Sequence, residues 1–302
     1  MSHSLERGDP VAQWSTRPVQ SLDGENPNGL TVDVEDYFQV EAFSNRIDRS
    51  AWDGQECRIE RNVECILAMF SEARVHATFF TLGWIAERYP STVRRIVAHG
   101  HELASHGLSH YRADQQNCTE FMNDISRAKN ILEDCAGVRV RGYRAASFSI
   151  TKRNLWALEA LREAGYRYSS SIYPIWHDLY GIPDAPRFAF YPFADHEFIE
   201  IPVASVRRFG VNWPCGGGGY FRLFPYWISA YNLRSAFFQQ QKPFVFYFHP
   251  WEIDPDQPRF DQVSLKTKLR HYVNLSKTQG RLKRLLKDFR WERIDRIYNV
   301  AT

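Results

Sequence analysis

"GLTVDVEDYFQV", residues 29–40, starts as a buried strand and ends in acids. Leu30, Thr31, Val32 and Val34 make an apolar run of strand length, and Asp33, Glu35 and Asp36 crowd its end. Carboxylates are almost never buried without a partner. The stretch therefore sets a counter-charge, a metal ion or a proton at the end of a strand. Within a strand Asp33 and Glu35 face one way and Asp36 the other. Where the chain turns, either Glu35 or Asp36 can serve as a ligand.

Outward from that strand, runs of strand length alternate with helix-period segments. Val63, Ile66, Leu67 and Phe70 recur at i, i+3, i+4 and i+7. Then come "ATFFTLG", a helix beginning at Pro90, and "HELASHG". Phe121, Ile125, Ala128, Leu132 and Cys135 trace one face of a further helix, which Gly137 ends. "VRVRGYRAA", the helix "KRNLWALEALREAGY" and the run "RYSSSIY" continue the rhythm. It lapses over about residues 173–224, rich in Pro, Gly and aromatic residues, and returns with "YWISAYNLRSAFFQQQ" and "PFVFYFHP". Such alternation means a parallel sheet, open or closed into a barrel, with functional groups at the C-terminal ends of its strands.

The 302 residues, 44% of them hydrophobic, suffice for one large core. A net charge of +3 is too mild to argue for nucleic acid. No apolar run is long enough to span a membrane, and the polar N-terminus lacks a signal core. We expect a flexible leader over residues 1–28 and one domain over 29–302, its C-terminal extension starting at about 255. Five cysteines form no CxxC pair; Cys65 and Cys135, in helical patterns, read as small buried thiols. A reduced, cytoplasmic protein is expected. The basic stretch "SKTQGRLKRLLKDFRWERIDR" reads as a solvated amphipathic helix, with an anionic membrane or polysaccharide surface as the second reading.

Four further residues carry chemistry. His106 and His110, four apart in "HELASHGLSH", suit two ligands of one divalent ion, converging from a helical turn or an extended loop. Ser105 stands where a zincin HExxH motif would need histidine. Two histidines and one carboxylate leave positions open on Zn²⁺, Co²⁺, Ni²⁺ or Fe²⁺ for water and substrate. Arg144, after an alternating strand, could clamp a catalytic carboxylate. His249 sits where Pro250 stops an apolar strand, the position of a proton donor in such a sheet.

"TVDVEDYFQVEAF", "HELASHGLSH", "RAASFS", "GGGYFRL" and "YFHPWEID" together resemble the polysaccharide deacetylases of the NodB-homology class, carbohydrate esterase family 4. They look closest to the branch encoded with exosortase-associated exopolysaccharide systems. The resemblance runs from about residue 28 to 298. It implies a deformed seven-stranded (β/α) barrel with a C-terminal helical extension. It also implies Asp33 as catalytic base, Arg144 as its partner, His249 as catalytic acid, and His106 and His110 as metal ligands. Val34 stands where the family's second Asp usually lies, so the third ligand is Glu35 or Asp36. Ala146 replaces an expected proline.

On that resemblance the expected reaction is hydrolysis of the N-acetyl group of an N-acetylhexosamine, in an exopolysaccharide or its lipid-linked precursor. The expected cofactor is a divalent metal, Zn²⁺ first and Co²⁺ or Ni²⁺ as alternatives. A backbone N–H near Ser147 would face the oxyanion. Aromatic residues of the irregular middle, Trp176, Trp213, Tyr220 and Phe221, could stack on sugar rings. Peripheral contact with the inner membrane face is a further expectation. Rival readings are a metal-free hydrolase of small cyclic amides on the same scaffold and a sugar-binding protein without turnover. A non-haem iron oxygenase lacks its HxD/E motif here, and a glycosidase lacks a second acid at a later strand end.

Overall fold

The computed structural model describes residues 14–15, 17–21, 27–260 and 263–300; most of the leader expected over 1–28 lies outside them. Seven parallel strands follow one another around a barrel. They are β1 (Asn28–Val34), β2 (Thr78–Thr81), β3 (Glu102–Ser105), β4 (Gly142–Tyr143), β5 (Tyr168–Ser169), β6 (Ile199–Glu200) and, after a hairpin of β7 (Ser205–Arg208) and β8 (Val211–Pro214), β9 (Val245–Phe248). β9 pairs with β1, and a parallel bridge between Val203 and Val245 closes the ring. β10 (Trp291–Glu292) joins beside the start of β1. Every residue of β1 is buried, as expected of a strand covered on both faces.

Helices α1 (Ile59–Ala73), α2 (Gly83–Arg88), α3 (Pro90–Ala98), α4 (Cys118–Ala136) and α5 (Trp156–Glu163) connect the first five strands. The apolar stripe of α1 is buried at Val63, Ile66, Leu67 and Phe70. α4 starts with a capping box between Asn117 and Glu120 and stops at Gly137, whose φ of 67° is left-handed. β4 and β5 are shorter than their sequence runs suggest, because the chain turns into the site directly after Tyr143 and Ser169.

The irregular middle has a mechanical reason. Its glycines thread back alongside β9 before α6 (Gly218–Leu223) and α7 (Tyr226–Gln240). A Cβ on Gly217 would lie 1.8 Å from the Tyr247 carbonyl oxygen, and one on Gly218 2.4 Å from the Tyr247 hydroxyl. The close approach is thus to another strand.

The C-terminal extension comprises α8 (Leu265–Tyr272), α9 (Leu275–Asp288), β10 and α10 (Ile294–Ile297). The apolar side of α9 is already used: Leu282, Leu285 and Leu286 are buried. α9 is thus amphipathic, with its apolar side turned inward. Ile294, Ile297 and Tyr298 pack with Phe80, Tyr168 and Val245, plugging the end of the barrel opposite the strand C-termini. Cys65 and Cys135 are only partly buried; Cys215 is the buried thiol, and all five cysteines are free.

Candidate active site

Groups from four strand ends meet at the C-terminal rim. Asp33 and Glu35 arrive on the end of β1, His106 and His110 on the loop after β3, Arg144 directly after β4, and His249 directly after β9. One cleft is lined by Asp33, Glu35, His106, His110, Ser147 and His249, walled by Phe148, Tyr180, Tyr247 and Trp251. A roomier hollow bounded by Tyr111, Glu120, Asp124 and Arg127 holds no comparable cluster among the described residues.

The HxxxH pair is not helical. It lies on a loop, where Gly107 (φ 80°) and His110 (φ 54°) are both left-handed, and the two imidazole centroids come to 5.3 Å. Glu35, His106 and His110 each bring one ligand atom within 4.8 Å of the other two, and no other such group exists among the described residues. That span fits donors around one ion with bonds of about 2.0–2.2 Å.

Three details of the donors fit a divalent metal. His106 Nδ1 lies 2.8 Å from the Arg144 carbonyl oxygen, which can only accept, so Nδ1 carries the proton and Nε2 keeps its lone pair. Burial lowers the His106 pKa to about 4, keeping the ring neutral. Glu35 Oε2 is buried 2.8 Å from His110 Nε2 yet receives no directed hydrogen bond. Burial alone would raise Glu35, but the His110 and His249 imidazoles outweigh it and hold the carboxyl at about 2. Two nitrogens and one oxygen are donors that Zn²⁺, Co²⁺ and Ni²⁺ all accept.

Asp36, named with Glu35 as a ligand candidate, is turned away. Its carboxylate accepts the backbone N–H groups of Tyr37 (2.8 Å) and Arg58 (2.6 Å), tying the β1 exit to the start of α1. Asp36 shapes the loop, and Glu35 is the acid facing the histidines.

Asp33 has a different partner. The fully buried Arg144 donates from Nη1 to Asp33 Oδ1 (2.6 Å) and Thr31 Oγ1 (2.7 Å), and from Nε and Nη2 to Ser170 O and Oγ. Asp33 Oδ2 is left toward the cleft, 4.0 Å from His249 Nε2.

Behind His249 stands a second buried ion pair. His249 Nδ1 lies 2.6 Å from Glu252 Oε1, and Glu252 Oε2 accepts from Arg222 Nε at 2.6 Å. The imidazole proton on Nδ1 is thereby fixed, and Nε2 points into the cleft, 3.3 Å from Glu35 Oε1. Burial lowers His249, but Glu35 and Glu252 prevail and raise it to about 9. Trp251 stacks beneath the ring at 5.2 Å and on His271 at 4.1 Å. Glu252 and Arg222 escaped the sequence reading. Both had a signal: Glu252 stands three residues past His249 in "HPWE", and Arg222 lies within "GGGYFRL".

Of the expected substrate-contacting residues, Ser147 lines the cleft, with a left-handed φ of 52°. Trp213 and Tyr220 do not line it. Trp213 is half exposed on the β8 hairpin, Trp176 faces solvent, and Phe221 packs on Phe246 inside the core. The aromatic wall consists instead of Phe148, Tyr180, Tyr247 and Trp251.

Residues 52–169 match the family model Polysaccharide deacetylase, and residues 170–299 match Domain of unknown function (DUF3473). The chain is 36% identical over 95 residues to a peptidoglycan-N-acetylglucosamine deacetylase of Bacillus cereus, covering 31% of this chain and 34% of that protein. It is 32% identical over 113 residues to a chitooligosaccharide deacetylase of Sinorhizobium fredii, covering 37% and 41%. The match therefore spans well under half the length of these relatives. A crystal structure from Mycobacterium smegmatis, assigned to the polysaccharide deacetylases, superposes with a TM-score of 0.62 at 16% identity, covering 96% of this chain and 95% of that one. At that identity the likeness is one of fold. The deacetylase match takes in His106, His110 and Arg144, while Asp33, Glu35 and His249 fall outside it. Over residues 52–169 the chain is thus similar to the polysaccharide deacetylases.

Proposed function

We propose that the protein hydrolyses the N-acetyl group of an N-acetylhexosamine unit in a polysaccharide, releasing acetate, and that its substrate is a bacterial exopolysaccharide or the lipid-linked precursor of one. A single observation carries the reaction: a buried arginine-held carboxylate, a three-donor metal set and a carboxylate-held histidine open into one cleft. The named relatives act on chitooligosaccharide and on peptidoglycan N-acetylglucosamine, which supports the bond and leaves the polymer to experiment.

Glu35, His106 and His110 would hold the ion, which when bound supplies a Lewis acid to the acetamide carbonyl and to the attacking water. Arg144 fixes the position of Asp33, whose Oδ2 faces the cleft and accepts the water proton. Attack on the carbonyl carbon places an oxyanion beside the backbone at Ser147. His249, held by Glu252, gives its Nε2 proton to the sugar nitrogen as the C–N bond breaks, leaving acetate and an amine. Glu252 and Arg222 hold the imidazole in the orientation that aims Nε2 at the leaving group. Tyr180, Tyr247 and Trp251 offer apolar faces to the ring of the sugar.

The test is acetate release from N-acetylglucosamine oligomers, with metal content measured before and after chelation. Turnover that stops on chelation and returns with Zn²⁺ or Co²⁺ fits this reading. Unchanged turnover in metal-free protein would favour the metal-free amide hydrolase. No acetate from any oligomer, including lipid-linked ones, would overturn it.

A further inference from the structure

Between Glu200 and Glu252 the chain contains no acidic residue, yet it includes Arg207, Arg208, Arg222, Arg234 and Lys242. This acid-free segment builds the β7–β8 hairpin and α7, and it leaves large apolar side chains in solvent. Phe209, at the hairpin tip, is 99% exposed, Trp227 68% and Phe238 71%. On α7, Trp227, Tyr231, Arg234 and Phe238 lie at i, i+4, i+7 and i+11, one outer stripe. The opposite side of that helix, including Leu233 and Ala236, is buried. An amphipathic helix would be polar on the outside; this one is apolar there too.

The hairpin joins the same face. Arg208 pairs with Val211, and Val206 with Trp213, so these four side chains share one side of the ribbon. Arg208 lies over the Tyr231 ring at 4.8 Å and donates to Asn232, so that side meets the α7 stripe. The acids that contact this region are occupied: Asp288 with Arg234 and Arg284, Asp184 with Lys152.

The tip itself is strained. Phe209 (φ 51°) and Gly210 (φ 78°) are both left-handed, as a two-residue I′ turn requires. The first position of that turn favours Asn, and a bulky aromatic there is a rare outlier. Phe209 makes no core contact that would account for the strain, because its side chain stands almost wholly in water.

We propose that the β7–β8 tip and the outer stripe of α7 form a docking surface for an anionic lipid bilayer. Phe209 enters the acyl boundary, and Trp213, Trp227 and Tyr231 lie at headgroup depth, where amphipathic rings are favoured. Arg208 and Lys242 meet the anionic headgroups. A projecting, convex tip fits a deformable flat surface better than the groove of a protein partner, and the lack of acid over the whole segment matches a surface of one charge sign.

The test is sedimentation of the purified full chain with vesicles. Vesicles of phosphatidylcholine and phosphatidylglycerol in equal parts should carry the protein down and release it in high salt, whereas phosphatidylcholine alone should not. Phe209→Asn should melt no lower than the parent, because Asn tolerates the left-handed turn, and should bind these vesicles about tenfold more weakly for one lost aromatic insertion. Trp227→Gln should weaken binding similarly. Failure to sediment with anionic vesicles, or unchanged binding by both variants, overturns the proposal. So does light scattering that shows a dimer split by Phe209→Asn without vesicle binding, since the face would then be a protein interface. The readout needs no turnover, so it stands apart from the deacetylation test.

Discussion

A buried carboxylate and a partly buried imidazole divide the acid–base work, and each is held by an ion pair of its own. Asp33 lies against Arg144, and His249 against Glu252, which in turn meets Arg222. Replacing either Asp33 by Asn or His249 by Gln should lower kcat by about 10²–10⁴-fold, read as acetate release at saturating oligomer; near-parent turnover would remove that residue from the mechanism. Glu252→Gln separates positioning from proton transfer. Burial depresses His249, and the Glu35 and Glu252 charges more than reverse this, raising it from 6.5 to about 9. A raised histidine contributes stability that is full below about 6.5 and is lost as pH rises through about 9. Removing the Glu252 charge should bring the His249 titration down toward 6.5 and start the alkaline loss of stability earlier. NMR titration of the chelated variant reads the first effect, and urea melts against pH read the second. An unmoved titration would mean that Glu252 only packs.

At the scale of elements, what could be read in advance depended on how local its cause was. α1 and α4 announce themselves through periodic apolar residues and, in α4, through Asn117 and Gly137 at its ends. β1 and β9 are largely apolar runs, and the acids and His249 at their ends could be placed from that alone. The choice between Glu35 and Asp36 could not, because it turns on Asp36 accepting the Arg58 backbone N–H, a contact between two elements. Likewise the cleft's aromatic wall comes from loops whose path depends on left-handed residues such as Ser147 and Phe148, which no periodicity reports. The glycines of "CGGGG" are the instructive case, because they let the chain pass close against β9. Gly217→Ala sets a Cβ 1.8 Å from the Tyr247 carbonyl oxygen at a φ of 122°. It should destabilise the fold by roughly 3 kcal/mol or more, since backbone must shift at the strand that carries His249. Gly219→Ala, with no atom closer than 3.9 Å, should be nearly silent in the same melt.

Across the whole molecule, the boundary between the two family matches at residues 169 and 170 cuts through the barrel. Strands β1 to β5 precede it, while β6, β9 and β10 follow, and β9 is the neighbour of β1 over Gly29 to Val32. The second half also supplies His249, Glu252 and Arg222, as well as Ile294 and Ile297 in the barrel plug. A chain ending at residue 169 would expose the edge of β1 and the apolar side of α1 that meets α9, surfaces too apolar to remain in water. We therefore expect the fragment 27–169 to give no dispersed NMR spectrum and to aggregate, even though it spans the whole deacetylase match. Co-expression with a fragment 170–302 should recover folded protein if the halves find each other through the β1–β9 pairing. A fragment 27–169 that folded alone with cooperative melting would show instead that the first half is an independent domain. In that case the long reach from Asp33 to His249 would be an interface between domains rather than the closing seam of one barrel.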